Sequence, residues 1–373
     1  MRIGFNGRLL SDATLRGWNR YTINLLRELA AYDVHLFLYT DRPLHLNHLS
    51  VLQPGSYTVR ESGPMRFIRW LEFWLPQQCR IDQLDVLHSP FNYGLPFSSP
   101  CRRVLTLHDA VDQIYYGRDV PFLARLRSAA LRMTYLNWTA RVRSHRVITV
   151  SHHAKADLVA AFGLPPGKIT VTYEGADEKF HQPLSEDRVG TVARKHGIES
   201  PYVFYVGGWE KRKNMPFLLK AFAAAQLPQV KLALAGGKAA ERHEIIALAR
   251  SFGIADRVQL LEFIPDEDLP FLYRGALCFV YPSEYEGFGL QLCEAMAVGC
   301  PVLAAQASCL PEILGNGGET FPLDDVGPLA ELLKRLFHDA SFRATLADRA
   351  AIRGAEFSWS KMAAETMSVY RNL

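Results

Sequence analysis

The feature that most restricts the fold is an alternation, repeated along the chain, of short apolar runs rich in β-formers with longer stretches of helical apolar period. Such alternation specifies parallel strands covered by helices, because a parallel strand reaches its neighbour only through a long crossover. After an opening strand, Val34–Tyr39, Val86–His88, Val104–Leu107, Val147–Val150 and Ile169–Thr172 read as strands of a first domain. Asn19–Ala31, Phe67–Leu75, Phe122–Arg143 and His153–Phe162 read as the helices between them. The series then restarts. Tyr202–Val206, Val230–Ala235, Val258–Leu261, Leu277–Tyr281 and Pro301–Ala304 are predicted strands, interleaved with helices at Met215–Ala225, Arg242–Ser251, Asp268–Arg274, Gln291–Val298 and Pro328–Asp339. The predicted class is α/β, with two Rossmann-like, doubly wound domains over 1–184 and 185–356, divided in the polar stretch Phe180–Ser200. Open parallel sheets take ligands at the carboxyl ends of their strands, so two such sheets are expected to face each other across a cleft.

Composition narrows the function. With 373 residues, 49% hydrophobic and 21% charged, the chain is globular and neither disordered nor fibrous. No apolar run reaches the ~20 residues of a membrane-spanning helix, and Met1-Arg2-Ile3-Gly4-Phe5-Asn6-Gly7 is too quickly polar for a leader, so a cytoplasmic protein is expected. A net charge of +4 argues against a nucleic-acid partner. The charge is uneven, though: residues 1–190 carry about six more Lys and Arg than Asp and Glu, and the remainder is about two units acidic. That asymmetry suggests peripheral association of the first domain with an anionic membrane. Cys79, Cys101, Cys278, Cys293, Cys300 and Cys309 form no C-x-x-C pair and read as reduced, buried small residues.

Three segments carry chemistry. In Pro282-Ser283-Glu284-Tyr285-Glu286-Gly287-Phe288-Gly289-Leu290-Gln291-Leu292-Cys293-Glu294, a strand runs into a glycine turn that opens a helix, so unpaired N–H groups and the positive helix end await an anion. Glu286 precedes the helix and Glu294 lies more than a turn inside it, which sets the carboxylates several ångströms apart along the axis. A single buried or capping glutamate would explain either one alone; the glycines and the second Glu weigh against that. In Val206-Gly207-Gly208-Trp209-Glu210-Lys211-Arg212-Lys213-Asn214, a turn on two glycines presents a forked donor at Arg212 and a point charge at Lys213, two complementary grips on phosphate oxygens. A solvated charge run is the alternative, yet adjacent cations at a helix N-terminus oppose its dipole. His108, in Leu107-His108-Asp109-Ala110, ends a strand on the ligand side.

The stretch from Pro282 resembles the E-x7-E signature of glycosyltransferase family four, and the resemblance extends over nearly the whole chain. It implies the GT-B architecture, with a C-terminal segment, 357–373, whose helix crosses back to the first domain; Trp359, Met362, Ala363, Thr366 and Tyr370 supply an apolar stripe for that contact. Glu286 would then meet hydroxyls of the donor sugar and Glu294 the ribose, with the backbone of Gly287, Phe288, Gly289 and Leu290 along the sugar and diphosphate. Arg212-Lys213-Asn214 is similar to the family's R-K-N segment, beside Gly208, and His108-Asp109 to its H-D, the histidine touching the donor sugar. Gly17-Trp18-Asn19-Arg20-Tyr21 resembles G-I-G-R-Y-T but departs from it at Trp18 and Asn19. Gly17 would admit the donor and Asn19 the acceptor, His88, which also ends a strand, reads as either structural or acceptor-binding, and Phe263 and Ile264 would lie near the base.

The implied activity is retaining, metal-independent transfer of a hexose-type sugar from a GDP- or UDP-linked donor to a hydroxyl of a carbohydrate or lipid-linked acceptor, in polysaccharide, lipopolysaccharide or glycolipid synthesis. The nucleoside diphosphate sugar is a substrate, and no cofactor and no metal are expected. A sugar-nucleotide epimerase of the same architecture and a non-catalytic nucleotide-sugar-binding protein are the alternatives. Three further signals are set aside. Asp266-Glu267-Asp268 has a metal-binding D-x-D form but Asp266 reads as a helix N-cap. Gly236-Gly237-Lys238 reads as a strand-end turn. Phe67, Trp70, Leu71 and Trp74, beside Arg66 and Arg69, read as either core or a lipid-dipping stripe.

Overall fold

The computed structural model describes residues 1–12, 17–46, 52, 55–115, 138–199 and 201–373. It divides into two compact units: Met1–Glu174 together with Trp359–Leu373, and Gly175–Ser358. The first crossing between them thus lies ahead of the polar stretch 180–200. That stretch instead contains a helix, Glu186–Lys195, whose apolar side rests on only Val189, Val192 and Ala193 in an otherwise polar run, too few apolar residues to reveal it.

Among the described residues, unit 1 has seven strands: β1 (Arg2–Asn6), β2 (His35–Thr40), β3 (Tyr57–Glu61), β4 (Val86–Ser89), β5 (Arg102–Thr106), β6 (Arg146–Thr149) and β7 (Ile169–Val171). Every pairing is parallel and the order is β3-β2-β1-β4-β5-β6-β7, which reverses beside β1. Such a reversal makes adjacent loops part and opens a crevice at the strand ends. Unit 2 repeats the plan with β8 (Tyr202–Gly207), β9 (Lys231–Gly236), β10 (Val258–Leu260), β11 (Cys278–Tyr281), β12 (Val302–Ala305) and β13 (Glu319–Phe321), ordered β10-β9-β8-β11-β12-β13 and again parallel. Its reversal falls between β8 and β11, the strands that precede the two charged motifs.

Helix ends follow local chemistry. His152–Phe162 begins where the Ser151 hydroxyl accepts from the Ala154 N–H at 3.0 Å, and stops at Gly163, whose φ of +60° is left-handed. The expected helix at Phe67 continues to Ile81 but widens into a π-turn over Trp70–Trp74, where the Leu75 N–H bonds to the Trp70 carbonyl. Pro76, which has no N–H to give, follows directly, and the wider turn spares the helix a clash with its ring. Trp70 and Leu71 lie in the core with Phe37, Tyr39, Leu87 and Leu105, and Phe67 and Trp74 pack against it. The stripe is therefore core and not a lipid-dipping face; Ile68 (70% exposed) and Phe73 (72% exposed) occupy the outward side instead. The expected helix 122–143 lies outside the described residues up to Asn137; of the remainder, Thr139–Arg143 is a π-turn.

The last helix, Trp359–Arg371, belongs to unit 1. It lies along helix Gly17–Leu29 and buries Trp359, Met362, Ala363, Thr366, Met367, Val369 and Tyr370. All six cysteines are buried and free. No helix among the described residues is long and apolar enough to cross a membrane.

Candidate functional site

Two clusters of buried polar side chains stand at strand ends, one in each unit. In unit 2, Glu286 is a bridgehead: Oε1 lies 2.6 Å from Lys213 Nζ and Oε2 2.7 Å from Arg212 NH1. Lys213 also donates to the Tyr281 hydroxyl at 2.8 Å, and Arg212 to the Tyr285 carbonyl at 3.0 Å. The motifs are stitched together by backbone as well, the Glu284 N–H donating to the Arg212 carbonyl at 2.7 Å. Ser308 fixes the Glu286 backbone from below, donating to its carbonyl and accepting from its N–H.

Burial opposes ionisation of Glu286, but the charges of Lys213 and Arg212 prevail and hold its carboxyl below the ordinary value. Burial likewise works against the Arg212 cation, and Glu286 more than restores it. For Lys213, buried more deeply, desolvation lowers the ammonium in spite of Glu286. The ionised triad carries two positive charges and one negative. A dianionic diphosphate would therefore meet an excess cation in a setting of low dielectric, where charge pairing is strong.

The turn that follows has the expected form. Gly289 caps helix Leu290–Ala297 with a left-handed φ of +93°, and Phe288 is anchored by edge-to-face contact with Phe357 at 5.9 Å. Gly287, Phe288, Gly289 and Leu290 thus sit together just before or at the helix start. Glu294, inside the helix, is buried and accepts from the Tyr273 hydroxyl at 2.9 Å. Across the reversal, β8 and β9 end backbone to backbone: a Cβ at Gly236 would stand 2.2 Å from the Gly207 carbonyl oxygen. Gly208 abuts the Glu210 carboxylate, and Phe263 projects with 86% of its surface exposed, beside the partly buried Ile264.

In unit 1, His108 is buried. Its backbone N–H donates to Asn92 Oδ1 at 3.0 Å, its Nε2 lies 3.0 Å from the Pro90 carbonyl and its Nδ1 3.3 Å from Glu174 Oε1. Trp18 lies against the ring at 6.0 Å and Tyr21 presents its edge at 4.8 Å. Asp109 accepts from the Val111 N–H at 3.2 Å and so orients the loop that follows.

His88 is different. It is fully buried, its Nδ1 meeting the Tyr370 hydroxyl at 2.6 Å and its Nε2 the Thr106 hydroxyl at 2.8 Å. Burial, and then the charge of His108, push its imidazole down to about 3, so it is neutral at physiological pH. With both nitrogens bonded to buried hydroxyls, it ties β4 to the last helix and has none left for an acceptor. Asn19 is also buried and donates to the Leu9 carbonyl at 3.1 Å, bracing the helix start. Gly17 is exposed, and a Cβ there would meet nothing within 4 Å among the described residues, so none of these requires glycine there.

The D-x-D residues do not converge. Asp266 pairs with Lys179 at 2.9 Å, while Asp268 pairs with Lys195 at 2.7 Å and His196 at 2.8 Å. The residue at the N-cap of helix Leu269–Gly275 is Asp268, not Asp266, and its carboxylate is spent on Lys195 and His196 and not on the helix N–H groups. Glu174, Asn92, Tyr273, Tyr281 and Ser308 were not singled out by sequence. Only Tyr281 carried a signal, as the last residue of the strand leading into the glutamate motif.

Two parallel, doubly wound units, the second with a cation pair and a glycine-capped helix at its reversal, form the α/β architecture that the sequence predicts. A family model described as "Glycosyl transferases group 1" matches residues 191–353, and one described as "Glycosyltransferase Family 4" matches residues 15–180. The chain belongs to glycosyltransferase family four. It is 27% identical over 384 residues to the O-antigen chain mannosyltransferase B of Escherichia coli, covering 96% of this chain and 97% of that protein. Among solved structures it is similar to Anabaena Alr3699/HepE in complex with UDP, with a TM-score of 0.80 at 18% identity over 100% of each chain. Sucrose-phosphate synthase from Thermosynechococcus elongatus gives a TM-score of 0.78 at 22% identity, covering 100% of this chain and 98% of that one.

Proposed function

We propose that this glycosyltransferase moves a hexose-type sugar, mannose being the first candidate, from a GDP- or UDP-linked donor to a hydroxyl of a growing cell-envelope polysaccharide, with retention and without a metal ion. The observation that carries the reading is the Arg212–Glu286–Lys213 triad, whose excess positive charge suits a diphosphate. The full-length likeness to an O-antigen chain mannosyltransferase supports the sugar and the acceptor class.

In this reading Arg212 and Lys213 hold the diphosphate, Glu286 turns to the sugar hydroxyls, and Glu294, braced by Tyr273, takes the ribose. Gly17, Gly208, Phe263, Ile264 and the turn Gly287–Leu290 complete the donor contacts, and Asn19 keeps the acceptor-side loop in place. The bond from the sugar C1 to the β-phosphate oxygen breaks as the acceptor oxygen bonds to C1 on the same face. The acceptor proton passes to the departing β-phosphate. Charge gathers on the leaving diphosphate, so fixed cations stabilise the transition state more than the ground state. His108 serves the sugar.

The test is diphosphate release from single donors by the purified protein, with and without candidate acceptors. Release that depends on acceptor, persists in chelator and gives a product of unchanged anomeric configuration is the expected result. Acceptor-independent conversion of the sugar nucleotide would establish the epimerase instead, and binding without turnover the silent binder. Peripheral membrane association is proposed as well, supported by the basic excess of the first half and by exposed Ile68 and Phe73 beside Arg66 and Arg69. The protein should float with vesicles containing anionic lipid and not with neutral ones; sedimentation away from both would remove that part of the reading.

A further inference from the structure

The strand-end histidine of unit 1 is backed by a carboxylate that no motif marks. A carbonyl oxygen only accepts, so the contact of His108 Nε2 with Pro90 makes Nε2 a donor. Nδ1 then faces Glu174 Oε1 at 3.3 Å, with side-chain exposures of only 6% and 5%. An uncompensated carboxylate at that depth loses several kcal/mol of hydration. Among the described residues, the ion pair of Glu174 is with His108. Glu174 is also the last residue of unit 1 before the chain passes on at Gly175. An apolar residue or an amide would fill the same space without that cost, so the carboxylate has a use at Nδ1.

We propose that Glu174 is the positioning residue of His108. With Trp18 on the face of the ring and Tyr21 at its edge, Glu174 settles the rotation of the imidazole, holds Nε2 toward the Pro90 carbonyl, and balances the ring's charge whenever it is protonated. The Nε2–H now given to the Pro90 carbonyl is the donor that a sugar oxygen would take over. The proposal rests on the reading that His108 serves sugar transfer.

The test is a double-mutant cycle on the full chain, with Glu174→Gln, His108→Ala and both together, read as kcat and donor KM. Glu174→Gln keeps the side chain's size and removes its charge. It should lower kcat roughly 10- to 100-fold while donor KM stays within about twofold, the loss typical of removing a group that orients a working imidazole. In the His108→Ala background the same change should cost almost nothing further. Glu174→Asp, which retains the charge, should recover part of the rate; if Glu174→Gln does not fold, Glu174→Asp carries the test and must show a loss in kcat alone. A folded Glu174→Gln protein with wild-type turnover beside an impaired His108→Ala would overturn the positioning role and leave transfer intact. So would an equal loss in both backgrounds. Full turnover by His108→Ala would instead remove the role of His108 on which the proposal stands.

Discussion

Glu286→Gln is expected to tighten binding of the free nucleoside diphosphate about tenfold while lowering turnover about a hundredfold or more. The opposite signs arise because one carboxylate has two tasks. Without donor it neutralises part of the cation pair at 2.6 and 2.7 Å; removing its charge leaves Arg212 and Lys213 both seeking an anion. A charge-assisted hydrogen bond contributes roughly 1.5–3 kcal/mol, so releasing even one for the ligand accounts for the tenfold gain. In transfer the same carboxylate is proposed to hold the sugar, and its loss should act on kcat. The ligand-free variant should also be less stable by roughly 3–5 kcal/mol, since buried Lys213 and half-buried Arg212 lose their counter-charge, and diphosphate should restore more of its melting temperature than it does in the wild type. Acid provides a second check. The depressed carboxyl contributes stability that is complete above its ordinary value near 4.5 and lost as pH falls through the lower folded value, and the glutamine variant should lack that component. Calorimetric titration showing weaker diphosphate binding to the variant would mean that Glu286 is not competing for those cations.

Ending the chain at Ser358 is expected to unfold unit 1 while unit 2 keeps its own transition. The removed helix buries seven side chains, among them Trp359, Met362, Met367 and Tyr370. At about 1.5–3 kcal/mol for each large apolar group, the loss is on the order of 10 kcal/mol, comparable with the whole stability of a domain. His88, fully buried, would also lose the Tyr370 hydroxyl at its Nδ1. Limited proteolysis should cut within 1–174 and spare 175–358; a truncated protein with unit 1 still resistant would show the helix to be dispensable. Tyr370→Phe, which removes only the hydroxyl, should show a far smaller loss.

What the sequence disclosed follows from what each element buries. Strands with both faces covered, such as Tyr202–Gly207 and Val302–Ala305, read as continuous apolar runs and were found within a residue or so of their ends. β3 was missed because most of it is exposed at the sheet edge, and β13 because only Phe321 of its three residues is apolar and buried. Ala340–Gly354, with only Leu346, Ala350 and Gly354 buried, has too narrow a stripe to reveal a helix. In the site, Arg212, Lys213, Glu286 and Glu294 were legible because chemistry and spacing coincide in two short segments. The ion pairing of Glu286 with both cations was not, since it joins residues far apart in the chain that only the β8–β11 adjacency brings together. Glu174 was invisible for the same reason, and His88 was left between a structural and an acceptor-binding reading because a strand-end histidine gives no hint of the hydroxyls it meets.

Unit 1 is made from both ends of the chain, and that fixes an order of assembly in time. A ribosome adds roughly 5–20 residues each second, so the stretch Gly175–Ser358 takes on the order of ten to forty seconds to appear after Glu174. During that interval the first unit has left the ribosome, or is leaving it, with the flank of Gly17–Leu29 bare and His88 without its phenol. Unit 2, contiguous in sequence, can complete itself first. The half of the enzyme that is translated first is therefore the half that matures last, and for that interval its uncovered apolar flank is a surface for chaperones to cover.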